Sequence, residues 1–226
     1  MPFISENKIT SVVIAGAGGF GLEVFDYINE EARTSGPQVA GFIDDTPGGK
    51  TPAGIDLPWL GKIDEYRAMP GQVVIAAIGS ATGRRTVLTK LWDNQVETPA
   101  YVHASAILSS AAQLYRGVIV CPFSIVNRNA VLEEGAMLNV NCSIGHGAFV
   151  GAFSVLCPYA ALNGDARIGS DCFLGTRATI YPGIMLGNHC IVDTHTGVRC
   201  NAPDRHMIAS RGHYQAVLIK GHGNPR

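Results

Sequence analysis

Residues 126–168 read VNRNAVLEEGAMLNVNCSIGHGAFVGAFSVLCPYAALNGDARI, and an aliphatic side chain returns at every sixth place: Val126, Leu132, Leu138, Ile144, Val150, Leu156, Leu162 and Ile168. The same step runs back through Val120, Leu114, Leu108 and Val102 and forward through Leu174, Ile180, Leu186, Val192 and Val198. All seventeen positions are Val, Ile or Leu. Four places after each stands a second residue that is nearly always small, such as Ala130, Ala136, Ala148, Ser154, Ala160 and Ala166, with Val118 and Ile184 as the larger exceptions. A six-residue period with one aliphatic and one small position predicts a hexapeptide-repeat parallel β-helix. Each unit supplies a short strand and a turn, and three units close one triangular coil. No unit can bury its apolar side alone, so five to six stacked coils share one continuous core.

Upstream of residue 100 the pattern is different. Residues 11–15 (SVVIA) form a short apolar run followed by glycines, and Phe20, Val24, Tyr27 and Ile28 then recur at helical spacing. Further buried strands are expected at 39–43 and 73–78, separated by a Gly- and Pro-rich loop over 46–58. A second helix carries Val87, Leu88 and Leu91. Strands alternating with helices imply a parallel sheet, here only half of a Rossmann fold. The expected architecture is therefore an α/β half-Rossmann domain over residues 1–100 and a β-helix over 101–226.

Composition narrows the function. Of 226 residues, 46% are hydrophobic and 15% charged, with a formal net charge of -1, so neither disorder nor an electrostatic fit to nucleic acid or an anionic membrane is indicated. The first residues lack the features of a secretory signal, and no apolar run is long enough to span a bilayer, so a cytoplasmic location is expected. The six cysteines contain no CxxC pair and are expected to be reduced; Cys142, Cys172 and Cys190 fall on the small inward position and read as packing residues.

Two motifs carry chemistry. Gly16, Gly18 and Gly21 satisfy GxGxxG directly after a strand, which offers bare backbone N–H groups and a helix N-terminus to a diphosphate, with Asp44 or Asp45 placed near a ribose or base. The motif alone suggests a nicotinamide dehydrogenase, which the missing second Rossmann half disfavours; the same glycines also suit a plain tight strand-to-helix turn. His146 is the third residue of the unit begun by Ile144, where side chains point outward. Its imidazole can take a proton near neutral pH. One full coil later stands Gly164, whose backbone N–H suits an oxyanion. A solvated histidine without a role is the bland alternative.

With the motifs GAGGFG (16–21), FIDD (42–45), AIGS (77–80) and IGHGAFVG (144–151), the chain resembles the sialic acid O-acetyltransferase and bacillosamine N-acetyltransferase family of hexapeptide-repeat sugar acyltransferases over nearly its whole length. The resemblance implies a left-handed coil and a homotrimer with active sites between subunits. It also implies a nucleotide-linked sugar in the N-terminal domain and acetyl-CoA along the β-helix as acyl donor. His146 and Gly164 are then the catalytic pair, Gly16, Gly18, Gly19, Gly21, Asp44, Asp45 and Gly79 the substrate-binding set, and Gly175 a coenzyme contact. Several family features are replaced in this chain. Phe20 stands where His is frequent, Gly147 where an acid usually follows the base, and Val155 where a second His is common. His146 is then expected to act alone or with a partner from the neighbouring subunit. The C-terminal coenzyme segment is altered to THTGVRCNAP (194–203) and ASRGHYQA (209–216). The remaining histidines lack the spacing of the metal-binding β-helix carbonic anhydrases, and no metal is expected. N-acetylation of a nucleotide-linked amino sugar leads the readings; sugar O-acetylation and a non-catalytic trimeric binding or scaffold protein are the alternatives.

Overall fold

The computed structural model of the protein describes residues 3–5, 7–34, 36–46 and 51–210. Strand β1 (Phe3–Ile4) is followed by β2 (Ser11–Ala15), helix α1 (Gly19–Ala32), β3 (Gln38–Ile43), β4 (Gln72–Ala76) and helix α2 (Ala81–Asp93). The parallel sheet has the order β3-β2-β4. Because side chains alternate across a strand, its two faces meet different partners. Val12 and Ile14 pack with Val24 and Ile28 of α1, whereas Val13 and Ala15 pack with Val87, Leu88 and Leu91 of α2. Burial on both faces explains why Val12, Val13, Ile14 and Ala15 are all apolar rather than alternating with polar residues.

From β5 (Ala100–Val102) onward the chain winds into a left-handed parallel β-helix of two-residue strands. Strands pair with those eighteen residues on, as in Val131↔Phe149 and Phe149↔Arg167. The second residue of each pair is the aliphatic of the six-residue period, and from Val120 onward all of these are buried. Val102, Leu108 and Leu114 are only partly covered, because the first coil has a neighbouring coil on one side alone. The small positions are equally enclosed. Ser124 and Ser154 keep their hydroxyls satisfied there by donating to Asn139 O and Gly169 O, each at 2.8–2.9 Å, and by accepting from Cys142 N and Cys172 N. Cys142 continues the column of Ser124, and Cys172 and Cys190 continue that of Ser154; burial raises the Cys142 thiol to about 12 and the Cys172 thiol to about 11, which leaves both as inert packing groups.

Corners are turned by single residues in the left-handed region, including Asn141 (φ 59), Asp165 (φ 60) and Asp171 (φ 57). Their conformational cost is offset by a repeated hydrogen bond from the corner N–H to the carbonyl nineteen residues earlier, such as Asp165 N to His146 O at 2.9 Å. The period shortens at its end. Ile191 pairs with Met207, sixteen residues on, so the strand Met207–Ile208 falls outside the series that stops at Val198.

Helix α2 docks on one corner column. Gly117 and Gly135, both with positive φ, leave room for Leu88, whose methyls would lie 3.1 and 2.7 Å from a Cβ at those two positions. One helical turn earlier, the fully buried Arg84 donates to Gly135 O, Gly117 O and Ala76 O at 2.8, 2.8 and 2.6 Å. Burial lowers its pKa to about 10, so it keeps its charge at neutral pH and is solvated by carbonyl dipoles instead of a carboxylate. Further down the column Arg85 lies 4.2 Å above the Phe153 ring and pairs with Asp171 through Nε at 2.7 Å. The other contact runs through the sheet of the β-helix, where Tyr101, Ile119, Met137 and Val155 share a core with Val12, Ile14 and α1.

Candidate active site

His146 occupies the corner between the strands Ser143–Ile144 and Phe149–Val150, with a side chain 74% exposed. Its ring lies against Gly164. A Cβ at Gly164 would stand 2.6 Å from both Cε1 and Nε2 of the imidazole, closer than real side chains approach, so only glycine admits this placement. The Gly164 N–H makes no backbone hydrogen bond among the described residues. A donor left unengaged by the backbone beside an imidazole is the kind of group that stabilisation of a developing oxyanion uses. On the other edge of the ring, Nδ1 stands 3.9 Å from Oδ2 of Asp165. A Cβ at Gly147 (φ 65) would collide with Oδ1 of the same carboxylate.

The glycines after β2 divide by role. Gly16 (φ 108) leaves no space for a side chain, since its Cβ would meet Ala77 O and Ile78 Cδ1 at 2.8 Å, and a Cβ at Gly21 would strike the Gly16 carbonyl. These two serve the tight turn. Around Gly18, Gly19 and Gly79 there is open space within 4 Å. Helix α1 begins at Gly18 with no side-chain cap, whereas α2 is capped by Ser80, which accepts from Gly83 N at 3.2 Å. The first turn of α1 therefore keeps unsatisfied donors and its positive dipole end at the carboxyl edge of the sheet, where open α/β sheets bind ligands. Asp44 and Asp45 are engaged by the protein itself. Asp44 accepts from Ala17 N and Thr46 N at 2.8 and 2.7 Å; partial burial opposes ionisation, yet the hydrogen bonds from Thr46 and Ala17 hold the carboxyl below its usual range. Asp45 accepts from Ile63 N and pairs with Lys90, both at 2.9 Å. Both carboxylates thus shape the loops beside the open glycines.

Gly175 lies where a Cβ would be 2.7 Å from Thr194 N of the next coil, so close coil packing requires glycine there. The altered segment 194–203 forms the corner and strands of the last coils, and most of 209–216 lies outside the described residues. Val155, in place of a second His, is buried in the core shared with α1. Among the described residues no three His, Cys, Asp or Glu side chains gather as metal ligands, and no helix is long and apolar enough to cross a membrane.

Residues 11–91 match the family model of the PglD N-terminal domain, and residues 166–194 match that of the hexapeptide repeat of succinyl-transferase. PerB from Caulobacter crescentus, solved in complex with CoA and GDP-perosamine, is 26% identical, covering 88% of this chain and 94% of its own with a TM-score of 0.67. The chain thus joins a PglD-type N-terminal domain to a hexapeptide-repeat β-helix, the architecture it shares with PerB. Two further structures share the fold of this acyltransferase. WeeI from Acinetobacter baumannii is 24% identical over 87% of this chain and 95% of its own, with a TM-score of 0.77. The acetyltransferase domain of PglB from Neisseria gonorrhoeae, in complex with acetyl coenzyme A, is 21% identical over 89% and 97%, with a TM-score of 0.66.

In this acyltransferase the eighteen-residue register brings His146 and Gly164 together as read from the sequence. Asp165 was not singled out by that reading, although the same addition of eighteen to position 147 leads to it. The roles of Arg84 and of the corner glycines Gly117 and Gly135 carry no such signal.

Proposed function

We propose that the protein transfers an acetyl group from acetyl-CoA to the amine of a nucleotide-linked amino sugar, with residues 1–100 holding the sugar nucleotide and 101–226 the acyl donor. The observation that carries this reading is the imidazole of His146 seated over Gly164, with an unengaged N–H beside it. With Nδ1 directed at Asp165, Nε2 is the nitrogen left to accept a proton. As the amine attacks the thioester carbon, Nε2 takes the amine proton and the Gly164 N–H receives the oxyanion. Collapse of the intermediate releases the coenzyme A thiolate, which recovers the proton from the imidazolium. PerB, with CoA and GDP-perosamine bound, supports this pairing of substrates. An exposed His146 also fits a homotrimer in which a neighbouring subunit completes the site, working in the cytoplasm.

The open space around Gly18 gives the test of the division of labour. Gly18 has φ -83 and nothing within 4 Å, so Gly18→Val is compatible with the fold but fills the mouth of the α1 N-terminus. Steady-state kinetics should show a KM for the sugar nucleotide raised about tenfold or more, roughly the loss of one charge-assisted hydrogen bond, and an acetyl-CoA KM within twofold of wild type. A shift in the acetyl-CoA KM with an unchanged sugar term would invert the assignment of the two domains.

A further inference from the structure

The acid that usually follows the catalytic histidine is absent here, since residue 147 is glycine. Position 165 lies one coil beyond position 147, on the same corner, and both residues are in the left-handed conformation, with φ 60 and 65. Their side-chain spaces overlap. A Cβ on Gly147 would run into Oδ1 of Asp165, so the Asp165 carboxylate occupies the volume that a side chain at 147 would enter. Oδ2 of the same carboxylate is 3.9 Å from His146 Nδ1, about 1 Å longer than a hydrogen bond and within ion-pair reach. Both side chains are largely exposed, and neither is tied by another side chain, among the described residues, that would prevent the remaining approach.

The geometry points to Asp165 as the positioning residue of His146: an acid supplied from the next coil in place of one adjacent in sequence. It accepts Nδ1–H, which fixes the ring orientation over Gly164 and leaves Nε2 with its lone pair toward the acceptor. A base held by a third group is a recurrent arrangement in such sites. Asp165 touches neither substrate in this scheme and acts only through the ring. The glycine at 147 and the acid at 165 are thus two halves of one feature, because a bulky side chain at 147 would displace the carboxylate. This inference rests on His146 being the base.

The test is a set of kcat and KM measurements on Asp165→Asn, Asp165→Gly, His146→Asn, the combination of His146→Asn with Asp165→Asn, and the swap Gly147→Glu with Asp165→Gly. Asp165→Asn should lower kcat on the order of 10- to 100-fold, as loss of an orienting partner does elsewhere, with both KM values within twofold. It should cost nothing further in the His146→Asn background, because the two act as a unit. The swap returns the acid to the adjacent position, which tolerates a side chain in the left-handed region as Asn141 and Asp165 do, and should recover most of the kcat lost in Asp165→Gly. A wild-type kcat in Asp165→Asn, while His146→Asn is impaired, overturns the positioning role alone. An equal loss from Asp165→Asn with and without His146 also overturns it, since the acid would then act elsewhere. Activity retained by His146→Asn removes the base assignment, and the positioning role with it.

Discussion

His146→Asn is expected to lower kcat by about 10²- to 10⁴-fold, the range a positioned general base contributes, while the Kd for acetyl-CoA and the oligomeric state stay near those of the wild type. Asparagine is smaller than histidine, keeps a polar planar end group, and can lie over Gly164, where no side chain opposes it. It cannot take a proton near neutral pH, and no other group in the segment 144–151 can replace it. The deficit has a pH signature that depends on the acceptor. An amine loses its own proton as pH rises and needs less assistance, so the ratio of wild-type to variant rate should narrow toward high pH; a sugar hydroxyl stays protonated throughout, and the ratio should hold. Stopped-time assays of thiol release across the pH range read both effects. A variant keeping more than about a tenth of wild-type kcat falls below the contribution of a base and would require another proton acceptor.

Arg84→Met is expected to remove roughly 3 kcal/mol of stability, measured by chemical denaturation at neutral pH. Methionine keeps the apolar stem but is shorter by the guanidinium, so the loss combines polar groups left without a donor and a small void. The carbonyls of Gly117 and Gly135 lose their donor, while that of Ala76 keeps the bond from Ile78 N. Each buried acceptor left unpaired costs about 1–3 kcal/mol, and the recovered desolvation of the cation offsets part of the total. The contacts join β4 and α2 to two coils, so their loss should also loosen the N-terminal sheet from the β-helix. Arg84→Lys should recover only part of the stability, because one ammonium lacks the planar fork that serves several carbonyls. A Met variant within about 1 kcal/mol of wild type would show that these carbonyls find solvent.

Sequence reading succeeded wherever structure follows from a repeat. Seventeen aliphatic positions at a fixed step define the inward stacks, and adding eighteen to a residue number gives its neighbour in the next coil, which is how His146 and Gly164 were paired. Asp165 was legible by the same arithmetic, through the corner column that starts at Gly147 and not through adjacency to His146 in sequence. Contacts between unlike elements were not legible. Nothing in the spacing of α2 marks Arg84 as buried, and its three backbone acceptors come from β4 and from two corners of the β-helix. The GxGxxG pattern was half informative: packing alone requires Gly16 and Gly21, and the open volume lies around Gly18 and Gly19. Asp44 and Asp45 were placed correctly at the end of a strand, yet their hydrogen bonds to loop N–H groups and Lys90 depend on the folded course of residues 17, 46 and 63. The shortened last coil broke the period, so the strand at Met207–Ile208 had no signal in it.

The most direct measurement is product analysis of the wild-type protein incubated with acetyl-CoA and, in parallel, GDP-, UDP- and dTDP-linked amino sugars. Thiol release would be followed in solution, and the product examined by mass spectrometry and NMR. The account predicts that at least one amino sugar yields free coenzyme A and an amide-linked acetyl group on the sugar nitrogen in equal amounts. The matching sugar nucleotide bearing a hydroxyl in place of the amine should react far more slowly. An ester-linked acetyl group as the main product, or no thiol release from any acceptor by a protein that binds acetyl-CoA, would contradict it.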